Sequence, residues 1–389
     1  MRVIHGSVPI PAVPADGITH FAGFCLVFVR EDELALGLLY DGERKRLSYR
    51  RLVPFCHTPS RRAAFTSFSV VWAATMDLSI IIVSWNTREV TRDCLKSVFA
   101  NLGQLKTEVF LVDNASSDGS AEMVAEEFPQ AQLIANTKNC GFAAANNQAI
   151  RLATGKYVLL LNPDTLVKGD VLPASFNYCE QHPEVGVMAC RVLNGDGTVQ
   201  LTCGRHPSLV NLFLLSSGLF RLRWPKFCGR YQMLDWKRDC EMDVETVTGC
   251  YMFVSRKALD EVGMLDESFF CYGEETDWCL RFKKAGWIMR FAPVGEIVHF
   301  GSLSSRQCNH RRDVMLTDGL IHLHRKHGGR FQAMLAWGIL AGFQATRWVY
   351  WSLVSLVRRN DSARRRRDHF WGVLKDYRSL WPTREKYAT

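Results

Sequence analysis

An α/β fold, a mostly parallel sheet flanked by helices with a helical, basic C-terminal tail, is what this sequence predicts. Three observations carry the prediction. Near-continuous apolar runs recur between Ser79 and Asn162; segments with apolar residues at spacings of three and four lie between them; each run ends in polar residues. Strands buried on both faces read as unbroken apolar runs, and parallel neighbours require crossover connections. In order, SIIIVS (79–84) is a strand, and Val90, Cys94, Leu95, Val98, Phe99 and Leu102 mark one face of a helix. EVFLVD (108–113) is a second strand, Ser120 to Phe128 a short helix, and AQLIAN (131–136) a third strand. Phe142 to Ala153 is a helix with Gly155 as its expected C′ residue, leading into KYVLLLN (156–162), the fourth strand.

The chain of 389 residues is 47% hydrophobic and 22% charged, a globular balance that excludes collagen-like classes. A mean hydropathy of −0.07 excludes a multi-span membrane protein. Thirteen cysteines without CxxC or paired His/Cys spacing read as reduced thiols in a cytoplasmic protein, not as a disulfide framework or zinc site. Residues 1–75 show no sustained periodicity and are expected to be a poorly ordered N-terminal extension; Phe24 to Val29 is too short to span a bilayer, and no signal peptide is expected. The pattern changes abruptly at Met76, and two readings stand: Met76 is the natural start, or the upstream segment belongs to the protein. Residues 76–320 make the main domain. Residues 321–389 carry 14 Lys and Arg against 4 Asp and Glu, whereas the middle of the chain is mildly acidic. No nucleic-acid partner is expected for such a core, and the tail is expected to meet an anionic membrane surface.

Open α/β sheets bind ligands beyond the carboxyl ends of their strands. The polar segments stand there: Ser84-Trp85-Asn86, Asp113-Asn114-Ala115-Ser116-Ser117-Asp118, Asn139-Cys140-Gly141 and Asn162-Pro163-Asp164. Singly, Asp118 or Thr165 reads as a turn or cap residue; their joint placement at one edge points to a site. Asn162 and Asp164 offer oxygen donors to a hard cation, Mg²⁺ or Mn²⁺, beside the alternative of an Asx turn opened by Asn-Pro. Glu274, Glu275 and Asp277 crowd together after Gly273. Crowding raises a carboxylate's proton affinity, as a general base requires, although acids also suit a helix N-terminus and Asp277 with Arg281 an i,i+4 pair. His299 ends a further apolar strand and is either a third metal ligand or a hydrogen-bonded packing residue.

Taken together, SIIIVSWN, VDNASSDGS, NCGFAAANNQAI, YVLLLNPDT, VTGCYM, FFCYGEETDWCLR and VHFGS, in that order from Met76 to Ser305, resemble the family 2 glycosyltransferases, in particular the bacterial rhamnosyltransferase-like branch. The resemblance implies a GT-A (Rossmann-like) fold and an inverting, metal-dependent transfer of a sugar, rhamnose or another deoxyhexose, from a nucleoside-diphosphate donor, dTDP-rhamnose favoured. The implied acceptor is a glycolipid or polysaccharide precursor of the cell surface. It further implies that Ser84, Asn86, Asp113, Asn114 and the neighbouring Asp118 hold the base and ribose, that Gly141 and Asn147 line the donor site, and that Asn162, Asp164 and His299 hold the metal. Glu275 matches the base of the family's Glu-Asp pair, here Glu274-Glu275, with Asp277 a competing candidate. Two departures touch the chemistry: Asn162 replaces the first Asp of the Asp-x-Asp pattern, and Glu275 is one methylene longer than the family's base.

In the tail, residues 331–359 are apolar but interrupted by Gln332, Gln344 and Arg347, with Trp337, Trp348, Tyr350 and Trp351 beside Arg358, Arg359 and Arg364 to Arg367. This reads as an interfacial helix pair with a polybasic anchor at the inner face of the cell membrane; packing of the helices on the domain is the alternative. A protein of the same fold that binds a nucleotide sugar, or scaffolds at a membrane, without turnover is a second reading, motivated by Asn162 and Glu275. A nucleotidyltransferase is disfavoured because SWNTREV supplies no Gly-rich basic phosphate loop.

Overall fold

The computed structural model of the chain describes residues 19–21, 24–27, 36–39, 48–51, 76–219, 229–301, 309–358, 361–377 and 379–382. The chain divides into two units, Met1–Ala73 and Ala74–Thr389. In the first, β1 (Thr19–Phe21), β2 (Phe24–Val27), β3 (Leu36–Leu39) and β4 (Ser48–Arg51) pair antiparallel in chain order. What the sequence suggests for the rest of residues 1–75 lies outside the described residues.

The second unit opens with the alternating series read from the sequence: β5 (Met76–Ser84), α1 (Arg88–Ala100), β6 (Thr107–Asp113), α2 (Ser120–Glu127), β7 (Gln132–Ala135), α3 (Phe142–Leu152) and β8 (Gly155–Leu161). There follow β9 (Thr165–Val167), α4 (Val171–Gln181), β10 (Val185–Leu193), β11 (Cys203–Gly204), α5 (Leu209–Ser217), β12 (Met242–Val244), β13 (Thr246–Val247), β14 (Tyr251–Ser255), α6 (Arg256–Val262), α7 (Glu274–Lys284) and β15 (Ile288–His299). The main sheet runs β12-β15-β10-β14-β8-β5-β6-β7, with β9 paired to β15. Strands β5 to β8 are mutually parallel, and β14 enters antiparallel between β8 and β10.

The alternation of side chains along a strand explains the two flanking layers. Leu78, Ile80 and Ile82 of β5 join Val109, Leu111, Leu159 and Leu161 in a core closed by α1, α2 and α4. Ile81, Phe110, Val112, Val158 and Leu160 point the other way, onto Ala143, Ala145 and Ala149 of α3 and Trp278 and Phe282 of α7. Three alanines on α3 let that helix approach closely, which is how the loop before it reaches the site.

The tail is α8 (Asn309–Arg358), broken at Gly329 (φ 75°), followed by α9 (Asp361–Asp376). Its two helices pack on α5 through Leu212, Ile321, Ala333, Ala336, Leu340 and Val373. Trp337 lies against Tyr377 and Trp381. Among the described residues no helix is long and apolar enough to cross a membrane.

One local expectation is corrected. Gly155 is not the C′ residue of α3, which ends at Ala153; it is the first residue of β8. Its amide donates to Ser79 Oγ at 2.8 Å, and a Cβ there would stand 2.5 Å from the Ser79 backbone nitrogen. Glycine is therefore required by close approach of two strands and not by turn geometry. Gly155→Ala is expected to cost about 3 kcal/mol, read as a lowered urea midpoint with an unchanged slope.

Candidate active site

Two strand registers assemble the site. Tyr251 of β14 pairs with Leu161 of β8, so Thr248 to Cys250 stand beside Asn162 to Asp164. Thr165 of β9 pairs with His299, the last residue of β15, which carries the imidazole to the same edge. From the other side, Gly141 (φ 88°) lets the loop before α3 touch the loop before α7: Phe142 N donates to Phe270 O at 2.8 Å, and a Cβ on Gly141 would lie 2.3 Å from that oxygen. Tyr272 (φ 71°) and Gly273 (φ 101°) then turn the chain in the left-handed region, so that α7 begins with Glu274 and Glu275 in the cleft wall. The resulting hollow of about 790 Å³ is lined by Asn114, Gly141, Asn162, Asp164, Glu274, Glu275 and His299 among others.

On one wall, His299 Nε2 lies 3.2 Å from Asp164 Oδ1 and 3.3 Å from Asn162 Nδ2, and its Nδ1 lies 2.6 Å from Gln200 Oε1. An oxygen and a nitrogen donor 3.2 Å apart fit neighbouring positions on a divalent ion, whose bonds of about 2.1 Å at right angles separate two ligand atoms by about 3 Å. The protein supplies one negative charge there, since Asn162 is neutral; the remaining positions suit a diphosphate. On the other wall, Glu275 Oε1 accepts from the Gly249 amide at 3.1 Å, and Glu274 Oε2 is buried without a partner among the described residues. Burial pushes both carboxyls above the ordinary glutamate range, and the charge of Glu275 raises Glu274 further.

Asp113, expected at the site, is buried at the end of β6 and does not line the cleft; its Oδ2 accepts from Ser116 N at 2.9 Å, and its Oδ1 has no partner among the described residues. Asn114 Nδ2 donates to Asn139 Oδ1 and to Gly141 O, which joins the second and third strand-end loops. Phosphate-bearing ligands need such acceptors for base and ribose and cationic groups for charge.

Residues 79–263 match the family model described as glycosyl transferase family 2. The chain carries a family 2 glycosyltransferase domain. Among its relatives is an N-acetylglucosaminyl-diphospho-decaprenol L-rhamnosyltransferase of Mycobacterium tuberculosis, 25% identical over 253 residues, or 59% of this chain and 78% of that one. The low-salt glycan biosynthesis hexosyltransferase Agl10 of Haloferax volcanii is 26% identical over 212 residues, covering 54% and 62% of the two chains. Among solved structures, the mannosyltransferase PcManGT from Pyrobaculum calidifontis, in complex with GDP-Man and Mn²⁺, aligns at a TM-score of 0.44 and 16% identity over 78% of this chain and 87% of that one.

Within the glycosyltransferase domain, several residues expected at the site are held in other work. Ser84 is fully buried in a cluster of hydroxyls with Thr87 and Thr91, each 3.0 Å away, which pins β5 to α1. Asn86 (φ 52°) ties the first loop to the second by accepting from Ser117 N at 2.7 Å. Asp118 caps the neighbouring turn, accepting from Arg88 N at 2.9 Å and Ser120 N at 3.1 Å. Asn147 is a clamp: it donates to Leu265 O and accepts from Leu265 N, holding α3 to the loop after α6. None of these four lines the cleft. The cleft wall also includes Trp85, Thr248, Gly249 and Phe270, which lie in the quoted segments with no role assigned to them, and Gln200, Arg311 and Arg312, which lie in none of those segments.

Asp277 is corrected as a candidate base. It is fully buried outside the cleft, bonded to Arg281 Nε at 2.8 Å, Lys326 Nζ at 2.7 Å and His327 Nε2 at 2.8 Å. Burial alone would raise it, but hydrogen bonds from His327 and Lys326 and the nearby Arg281 charge hold its carboxyl well below the usual range. A group so held is a poor proton acceptor. Its contribution to stability is present above the unfolded-state value and lost as pH falls through the folded one. Asp277→Asn is expected to destabilise the domain by about 3 kcal/mol near neutrality, with the gap to the wild type narrowing below about pH 4 in urea titrations.

Proposed function

We propose that this glycosyltransferase moves a deoxyhexose, rhamnose favoured, from a nucleoside diphosphate such as dTDP to a hydroxyl of a lipid-linked or polysaccharide precursor, with inversion at the anomeric carbon. The observation that carries the reading is one cleft with Asp164 and His299 on one wall and the Glu274–Glu275 pair on another. The rhamnosyltransferase relative supports the sugar and the lipid-linked acceptor.

Asn114, which lines the cleft, binds the nucleoside, with Asp113 buried beside it at the end of β6. Asp164 and His299, with Asn162 beside them, would hold Mg²⁺ or Mn²⁺, which when bound would supply positive charge to the leaving diphosphate. Glu275, anchored by the Gly249 amide, removes the acceptor proton. Glu274 stays protonated beside it because burial and the Glu275 charge both disfavour a second anion. A raised base must lose its proton to act, so activity rises with pH through a value above that of an ordinary glutamate. Glu275→Gln is expected to lower kcat by about 10²- to 10⁴-fold, while Glu274→Gln, replacing a group already neutral, costs far less. Release of nucleoside diphosphate from dTDP-rhamnose with Mn²⁺ and a lipid-linked acceptor measures both. Donor binding without turnover over a full donor and acceptor panel would favour the non-catalytic reading.

The tail supports a location for that reaction at the inner face of the cell membrane. Phe331, Leu335, Gly338, Gly342, Thr346, Val349, Leu353 and Leu356 are all exposed and follow one another at spacings of three and four. They form one stripe, about 38 Å long at 1.5 Å per residue. Arg347 is the only charged residue between positions 331 and 357. Arg366 sits 4.7 Å over the Trp351 ring, which brings the basic run of α9 against this helix. An uncharged face beside clustered arginines complements an anionic bilayer. The double substitution Leu353→Glu and Leu356→Glu is expected to lower co-flotation with phosphatidylglycerol vesicles more than tenfold. Loss of self-association in place of loss of flotation would assign the stripe to a second copy of the chain.

A further inference from the structure

We propose that Gln200 is a positioning residue that fixes the neutral tautomer of His299, leaving the Nε2 lone pair free for a cation shared with Asp164. The proposal rests on the reading of His299 as a metal ligand.

A chain of hydrogen bonds leads to His299, and its direction is set at its far end. In the tight turn after β10, Asp196 is a carboxylate and only accepts; the Thr198 hydroxyl and amide hold it below the usual range. Thr198 Oγ1 donates its single proton to Asp196 Oδ1 at 2.6 Å. That hydroxyl then accepts from Asn194 Nδ2 at 2.9 Å, which orients the Asn194 amide. Asn194 Oδ1 consequently accepts from Gln200 Nε2 at 2.7 Å, and Gln200 Nε2 also reaches His299 O at 3.3 Å. With both contacts of the nitrogen end made to oxygens, the end left facing His299 Nδ1 at 2.6 Å is Gln200 Oε1. A carbonyl oxygen only accepts, so Nδ1 carries the proton. In the neutral ring Nε2 then carries no proton; it faces Asp164 Oδ1 at 3.2 Å and accepts from Asn162 Nδ2 at 3.3 Å, a bond that a bound cation would replace. Two acceptors aimed at each other across that distance favour a cation between them.

The backbone keeps this chain in register. Asn194 N donates to Thr198 O at 2.8 Å, Gly197 N to Asn194 O at 2.9 Å and Gln200 N to Val192 O at 2.8 Å. Gly197 (φ 83°) makes the turn. A rigid hairpin thus transmits the polarity of one surface carboxylate to the far edge of an imidazole in the cleft. Outer partners of this kind typically change metal affinity by about 10- to 100-fold when removed.

The test uses the full chain, labelled with ¹⁵N-histidine and free of metal, at about pH 8.5, above the ordinary imidazole range. Long-range ¹H–¹⁵N spectra, with His299 identified by its loss in His299→Gln, are expected to show a protonated Nδ1 and a bare Nε2. In Gln200→Leu a protonated Nε2 is expected to appear, and the Mn²⁺ dissociation constant, followed by electron paramagnetic resonance, to rise about 10- to 100-fold. Gln200→Glu keeps an acceptor opposite Nδ1 and is expected to retain the tautomer and recover most of the affinity. A protonated Nε2 in the wild-type protein, or an unchanged tautomer in Gln200→Leu, overturns the relay. A changed tautomer with unchanged Mn²⁺ affinity overturns the ligand role of His299 instead.

Discussion

The antiparallel insertion of β14 between β8 and β10 is the constraint on which the cleft depends. In a purely parallel sheet the carboxyl ends of neighbouring strands all face one way, and each contributes only the loop that leaves it. Reversing one strand brings a loop that enters the sheet to the same edge. Thr248 to Cys250 therefore stand beside Asn162 to Asp164, and the Gly249 amide becomes available to Glu275. The pairing of β9 with β15 adds His299 by the same logic. Side chains alternate faces along a strand, so a slip of one residue in either register would turn the imidazole or the carboxylate away from the cleft.

This arrangement separates two kinds of charge. The wall of Asp164 and His299 is open to a cation, and its carboxylate is buried but faced by an imidazole. On the other wall, Glu275 accepts from the Gly249 amide, and burial drives the protons of Glu274 and Glu275 on rather than off. Asp277, two residues along the same helix, sits in the opposite regime: arginine, lysine and histidine surround it and keep it ionised. Three acids in one helical turn thus differ in proton affinity because of what faces them, as burial and neighbouring charge require. Spacing within the sequence carries only the Asp277–Arg281 pair; Lys326 and His327 are about 50 positions away.

The same distinction explains what was legible beforehand. The strands and helices from Ser79 to Asn162 were readable because apolar periodicity is local, and the polar strand ends were readable because topology puts them at one edge. Asp164, Glu275 and His299 are candidates by residue type alone, each beside a bland alternative, and only the match of seven segments to a family pattern singles them out together. Roles set by distant partners were not readable. Asn147 looked like a donor-site residue, yet its partner Leu265 is 118 positions away. Ser84, which the resemblance assigns to nucleotide binding, is buried among hydroxyls. Gly155 looked like a helix cap and is needed where β8 crosses Ser79. Gln200 carried no signal at all, because its importance lies in the direction of a hydrogen bond and not in its residue type.

The basic tail is less separate than its composition suggests. The change in charge near residue 320 is real, but the compact unit runs from Ala74 to the end of the chain. Lys326 and His327, on α8, bind Asp277 on α7, and Lys326 also bridges to Asp266 at the loop before α7. The helix that presents Glu274 and Glu275 to the cleft is thereby tied to the helix whose later turns carry the uncharged stripe. A buried, multiply bonded carboxylate at that joint resists sliding, since any displacement would strand a charge without partners. The segment that carries the stripe is thus joined to the helix that lines the cleft through the first part of α8, across the break at Gly329.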